Sequence, residues 1–235
     1  MTKQSLEIIH SLFHSKFYPT SDQHSTDTNS PVQLPPLVTI SRTLGCHGSE
    51  IGTLLAERLG VQLYDRELLN TIVKEAKADK HLMTNLDERV TTMVDELVNA
   101  FFAKKSTSRD TFYRYMVKVI LGISQTGGVI IGRAAHLVIP AHRPFFRVHL
   151  DASPKSCLKN VMQRENIKKN KAEKLIAETN KQRIKFAEKI QQRYPTAREN
   201  LFDLALNTDT FTLEQSVNVI VSAMKEAGHT IADKA

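Results

Sequence analysis

The residues best placed to do chemistry lie in one short segment, Ser41-Arg42-Thr43-Leu44-Gly45-Cys46-His47-Gly48-Ser49-Glu50. A β-branched run, Leu37-Val38-Thr39-Ile40, leads into it, and an amphipathic helix leaves it. Glycines allow consecutive backbone N–H groups to turn inward, and the helix that follows presents its positive end to the same point. The chemistry implied is the binding of a phosphate by backbone donors. The segment is not a Walker A loop: Glu50 stands five residues after Gly45, and no lysine follows. The geometry of a phosphate loop is present without its best-known side chain.

The elements that must hold this loop alternate strand and helix. Leu37–Ile40 reads as a strand. Ser49–Leu59 reads as a helix with Ile51, Leu54, Leu55, Arg58 and Leu59 inward, ended by Gly60. Val61–Tyr64 is a second strand, and Asp65 stands at the N-cap of a helix with Leu68, Leu69, Ile72 and Val73 on one face. Residues 82–123 read as helix in two or three pieces, broken near 104–110. Strands return at Gly128–Gly132 and Phe145–Leu150, and Ser153 with Pro154 opens another helix. A long basic helix runs from Lys171 to Arg193, Leu204–Leu206 is the last strand, and Leu213–Ala227 is the closing helix.

Strands alternating with helices, without hairpin signals, imply a parallel sheet covered on both faces. The expected fold is a three-layer α/β/α domain around a five-stranded parallel sheet. Ligands of such sheets gather beyond the C-terminal ends of the strands. That rule selects Ser41 and Arg42, Asp65 and Arg66, Arg133, Asp151, and Asn207 with Thr208 and Asp209. Basic, acidic and amide groups thus converge on one edge, as a charged polar ligand requires.

Composition narrows the classes. The 235 residues are 41% hydrophobic and 24% charged, ordinary for a globular chain, and no apolar run is long enough to span a bilayer. No signal peptide is read at the N-terminus, and two cysteines, Cys46 and Cys157, suit a reducing cytoplasm better than a disulfide framework. Residues 1–36 read as an extension: an amphipathic helix with Leu6, Ile9, Leu12 and Phe13, then a flexible polar linker. His10 and His14 share a helical face there, but without nearby carboxylates or cysteines they argue weakly for metal. The net charge is +7, yet residues 155–198 alone carry 13 Lys/Arg against 4 Glu. That segment suits nucleic acid, an anionic membrane surface, nucleotide phosphates, or a solvated helix pair. With only Phe186 and Tyr194 as aromatics in it, base stacking is poorly served, which argues against nucleic acid.

Four segments carry a resemblance. Thr39-Ile40-Ser41-Arg42 with Gly45-Cys46-His47-Gly48-Ser49-Glu50-Ile51 is the first, and Leu63-Tyr64-Asp65-Arg66-Glu67-Leu68-Leu69 the second. Gly128-Val129-Ile130-Ile131-Gly132-Arg133 and Asp203-Leu204-Ala205-Leu206-Asn207-Thr208 complete the set. In this order they resemble the cytidylate kinase-like family of P-loop nucleoside monophosphate kinases. The resemblance covers about residues 37–227 and implies a domain over 37–230 with a helical insert near 80–124 and a basic helical lid near 165–195. It implies transfer of the γ-phosphoryl group of ATP, with Mg²⁺, to a nucleoside monophosphate, CMP or dCMP first. Backbone groups of Gly45, Cys46, His47, Gly48 and Ser49, with Ser41, would cradle the donor phosphates, and Arg42 would replace the missing lysine. Asp65 and Arg66 would face the acceptor and Arg133 its phosphate, while Lys181 and Arg183 would reach the transferring group from the lid. Ser49, Glu50 and Asp151 would contact Mg²⁺. The long insert also offers a surface for pairing with a second copy of the chain.

Three departures support a different reading. Where the family has Gly-Gly-Arg-Glu, this chain has His47-Gly48-Ser49-Glu50; Cys157 stands where an arginine is common, and Asn180 where an acid is common. Histidine resists the positive φ that glycine allows, so a reshaped loop is expected. The alternative is a catalytically degenerate nucleotide-binding sensor or partner-binding module of the same fold. Asp65 as a plain N-cap, Asn207 as a strand terminator and Arg183 on a solvated face are the bland readings of those residues. Cys46 beside a helix N-terminus reads either as a reactive thiol or as a small residue filling the loop.

Overall fold

The computed structural model describes residues 34–78, 108–193 and 202–231. The proposed N-terminal helix, His10 and His14, and most of the proposed helical insert lie outside these residues.

Five parallel strands form the sheet: β1 (Leu37–Arg42), β2 (Leu63–Tyr64), β3 (Gly128–Ile131), β4 (Phe146–Asp151) and β5 (Leu204–Asn207). Their spatial order is β2-β3-β1-β4-β5. β1 is therefore central, with Val38 opposite both Val129 and Phe146. The chain leaves β1 towards one edge and later returns to its other side, so the switch point lies at the C-terminal end of β1, where the loop of interest begins.

The helices are α1 (Gly48–Leu59), α2 (Arg66–Ala78), α3 (Ser108–Thr126), α4 (Ala135–Val138), α5 (Pro154–Glu165), α6 (Lys169–Arg193) and α7 (Leu213–Glu226). Each starts and stops where its sequence allows. Gly60 takes φ 67° after α1, and Ser153 accepts the Ser156 N–H ahead of Pro154. Thr212 and Gln215 form a reciprocal capping box at α7. The apolar faces fill two layers. Leu69, Ile72, Met116, Ile120, Ile123 and Leu137 pack on one side of the sheet, and Ile51, Leu55, Val217, Ile220 and Met224 on the other.

Two details differ from the sequence reading. Arg58 is exposed and donates to Asn218 (3.2 Å) instead of packing inward, because a buried guanidinium would need acceptors that this layer lacks. The short helix α4 was not expected; it is entered through Gly132, Arg133 and Ala134, all at positive φ (78°, 54° and 52°). Three consecutive left-handed residues, two of them not glycine, have no signature in composition or periodicity.

The chain enters the sheet through Pro35 and Pro36. The Gly128 N–H bonds the Pro36 carbonyl (2.8 Å). Buried Arg143 donates to the carbonyls of Ser124 (2.6 Å), Pro144 (2.7 Å) and Pro35 (2.7 Å), which satisfies a guanidinium without an acidic partner among the described residues.

Candidate functional site

The loop after β1 is held on every side. The Thr43 N–H bonds Leu150 O (3.2 Å), and its hydroxyl donates to Asp151 Oδ1 (2.7 Å). Gly45 has φ 96°, and a Cβ there would lie 2.5 Å from the Cys157 carbonyl oxygen, so only glycine lets the loop rest on α5. Asn160 from α5 donates to Gly45 O (2.8 Å), and Asn180 from α6 accepts the Leu44 N–H (3.0 Å).

His47 holds the positive φ that the sequence reading expected a histidine to resist. It adopts φ 58°, ψ 21°, the conformation a glycine would take, and its imidazole turns to Glu50 (Nδ1–Oε1 3.4 Å). Such a residue stores about 1–2 kcal/mol of strain. The Cys46 side chain is fully buried and donates to Thr43 O (3.3 Å) and Leu150 O (3.4 Å); burial pushes its thiol up. The reactive-thiol reading therefore gives way to that of a small packed residue. Cys157 is also buried, and its thiol is likewise pushed up by burial.

Beyond the C-terminal ends of β1 and β3, and beneath α6, opens a cavity of about 550 Å³. Arg42, Arg66, Arg133 and Arg183 all line it, coming from β1, α2, the β3–α4 turn and α6. The stem of Arg42 crosses Gly48, where a Cβ would approach Cγ to 2.8 Å, and its guanidinium lies against Gly132. Arg183 donates to Arg42 O (2.9 Å). Arg133 donates to Asn70 and lies over the rings of Phe112 (5.9 Å) and Phe186 (5.4 Å), with its Nε buried and unpartnered. Among the described lining residues the sole carboxylate is Glu188, which is exposed.

Burial first, then Arg183, Arg133 and Arg66, depress the Arg42 guanidinium to about 9. Arg133 and Arg183 are lowered by the same combination of burial and neighbouring cations, Arg66 in both cases. Gathering four guanidinium groups in a partly dry cavity with one exposed carboxylate at its lining is unfavourable unless an anion completes it.

The cavity has an aromatic wall that sequence reasoning missed. Phe202 lies between His136 (5.0 Å) and His149 (4.9 Å), and His136 Nδ1 contacts Ser41 Oγ (3.3 Å). Burial, then Arg147 and His149, hold His136 near 4, so its ring is neutral at pH 7. His136, His149 and Phe202 meet from three separate chain segments, and no local pattern announces them.

The remaining expected site residues fall elsewhere. Asp65 caps α2, accepting the Leu68 N–H at 2.8 Å, and does not line the cavity. Lys181 is exposed and is not a lining residue either, although Asn180 and Arg183 beside it are. Asn207 accepts the Asp209 N–H (2.9 Å), and Asp209 in turn accepts the Ser153 N–H (2.9 Å), so this turn is tied to the start of α5. A second cleft, of about 330 Å³, borders the loop at Gly45, His47 and Glu50, facing Asn160, Gln163 and Arg164.

For a hard cation the donors are few. Among the described residues no group of three His, Cys, Asp or Glu side chains could hold a metal. Glu50 Oε2 is buried without a partner, Ser49 is exposed, and Asp151 already accepts Thr43 and Ala152 through Oδ1. One unpartnered carboxylate oxygen beside a phosphate loop fits Mg²⁺, which takes few protein ligands when phosphates supply the rest.

A model of the cytidylate kinase-like family matches residues 37–210. Among solved structures, the chain is similar to an uncharacterized protein from Eubacterium ventriosum. The TM-score is 0.64 at 18% identity, covering 82% of this chain and 99% of that one. It also matches a shikimate kinase from Aquifex aeolicus (TM-score 0.37, 15% identity, 81% and 97% covered). A gluconokinase from Sinorhizobium meliloti matches as well (TM-score 0.44, 10% identity, 83% and 94% covered). No curated protein matches the sequence.

Proposed function

From the premise that the chain belongs to the cytidylate kinase-like family, we propose that it is a nucleotide kinase. It transfers the γ-phosphoryl group of ATP to a nucleoside monophosphate, CMP or dCMP first. The observation that carries this reading is the set of four arginines around one cavity at the switch point of the sheet. Phosphoryl transfer asks little covalent chemistry of a protein; it asks for in-line placement and for cations around the transferring charge.

The roles follow from position. Backbone N–H groups of Gly45 to Ser49 hold the donor phosphates at the head of α1, with Ser41 at the strand end beside them. Arg42 supplies the fixed cation that this loop lacks, and its planar guanidinium suits two oxygens at once. Arg66 and Arg133 hold the acceptor phosphate, and Asp65 orients the start of α2. Arg183 covers the transferring group as α6 closes out water, with Lys181 on the outer face adding charge. Glu50 and Ser49, with Asp151, would hold Mg²⁺, which would neutralise charge on the donor phosphates when bound. Residues 37–230 form the kinase domain, residues 1–36 an extension to it, and the two unpaired cysteines suit the cytoplasm.

A second reading, a nucleotide-binding sensor that has lost catalysis, is favoured by one observation. Residues 43–49 include no lysine or arginine, so the loop itself brings no permanent cation to a transferring phosphate. Turnover separates the two. With Mg·ATP and a panel of CMP, dCMP, UMP, AMP and GMP, the kinase reading expects transfer to a cytidine acceptor. Arg42→Ala should lower kcat/KM by about 10²–10³-fold. Absence of transfer to every acceptor, with ATP still raising Tm, selects the sensor.

A further inference from the structure

One bond at the rim of the cavity has a meaning beyond fastening. Asn180 Oδ1 accepts the Leu44 N–H at 3.0 Å, and Arg183, one helical turn further along α6, donates to Arg42 O at 2.9 Å. The two contacts bracket Thr43, so α6 is stapled to the end of β1 and to the loop at once. Both Asn180 and Arg183 also line the cavity.

A carboxylate at position 180 would accept the same N–H and bond it more strongly, since charge-assisted hydrogen bonds are the stronger class. It would also stand one turn from Arg183 and beside the loop that follows Arg42. There it would act as a built-in competitor for any anion the arginines bind. An amide accepts the N–H without charge and keeps an NH₂ group with two donors for a phosphate oxygen. The other brace on the loop, Asn160 to Gly45 O (2.8 Å), is likewise a neutral amide.

We propose that Asn180 is a positioning residue that fastens α6 over the cavity while adding no negative charge beside Arg42 and Arg183, which leaves these arginines to the phosphates of the ligand. The proposal rests on the cavity being an anion site, as in the reading above, and not on transfer taking place.

The test compares Asn180→Asp and Asn180→Ala with the unaltered full chain. The readouts are Tm without ligand and affinity for inorganic pyrophosphate, measured by titration calorimetry. Asn180→Asp should keep or raise Tm, because the Leu44 N–H retains its acceptor, and should weaken pyrophosphate at least about tenfold. Asn180→Ala should lower Tm and weaken pyrophosphate less than Asp does. A residue that only fastens the helix would give the reverse order, with Asp binding as the unaltered chain does; that result overturns the proposal. So does an Asp variant that loses Tm as Ala does, or an unaltered chain that binds no pyrophosphate. If the predicted pattern is found and no acceptor is phosphorylated, the inference stands and the kinase reading falls.

Discussion

Acidification should destabilise the domain through one imidazole in the cavity wall. His136 packs on Phe202 and is held near 4, against 6.5 for a free histidine, first by burial and then by Arg147 and His149. As pH falls, the unfolded chain takes up a proton at this residue before the folded chain does. The contribution is therefore intact above pH 6.5 and is lost progressively as pH falls towards 4. The gap between those two values corresponds to roughly 3 kcal/mol, of which about 2 kcal/mol has gone by pH 5. The assay is urea unfolding at pH 7.5 and pH 5 for the unaltered chain and for His136→Gln, which keeps a polar side chain near Ser41. The stability lost between the two pH values should be smaller in the variant by about 2 kcal/mol. His229, also lowered by burial, adds a slope of the same sign that both proteins share. Equal losses in the two proteins would refute the argument, as would an imidazole that titrates near 6.5 by NMR.

Further expectations concern groups that the site needs but does not expose. Gly132→Ala places a methyl group at φ 78° against the Arg42 guanidinium. It should cost about 1–2 kcal/mol in urea unfolding and weaken pyrophosphate binding, which Val129→Ala within β3 would leave unchanged. Arg143→Met leaves the buried Ser124 carbonyl and the part-buried carbonyls of Pro144 and Pro35 without their donor and should cost about 2–3 kcal/mol by the same assay. Cys46, buried and pushed up, should react with iodoacetamide far more slowly than a free thiol, at a rate indifferent to ATP. Rapid labelling that ATP blocks would show that the loop opens readily.

Much of the architecture was legible because it rests on local rules. Gly60, Asp65 and Ser153 mark helix ends through hydrogen bonds that reach no further than the next turn. The alternation of strands with helices, followed by the strand-end rule, placed Ser41, Arg42, Arg66 and Arg133 on one cavity. What escaped depends on distant pairings. The bland reading of Arg183 as one more solvated cation followed its neighbours Lys181 and Lys185, whereas the helix turns it towards Arg42 O. His136, His149 and Phe202 form one wall only because β4 and the segment ahead of β5 are adjacent in the sheet. The left-handed run through Arg133 and Ala134 has no glycine to betray it beyond Gly132.

The anchoring of Pro35 and Pro36 has a practical consequence. These residues are fixed by Arg143 and Gly128 at the end of β1 opposite the arginines. β1 is six residues long, so the entry point and the cavity stand apart by roughly 20 Å, the length of such a strand. A surface linkage made at residue 34, where the described chain enters the sheet, therefore joins the domain at its back. Chains captured in this way on a sensor chip would present the cavity outward, so weak phosphate ligands could be screened on an oriented layer.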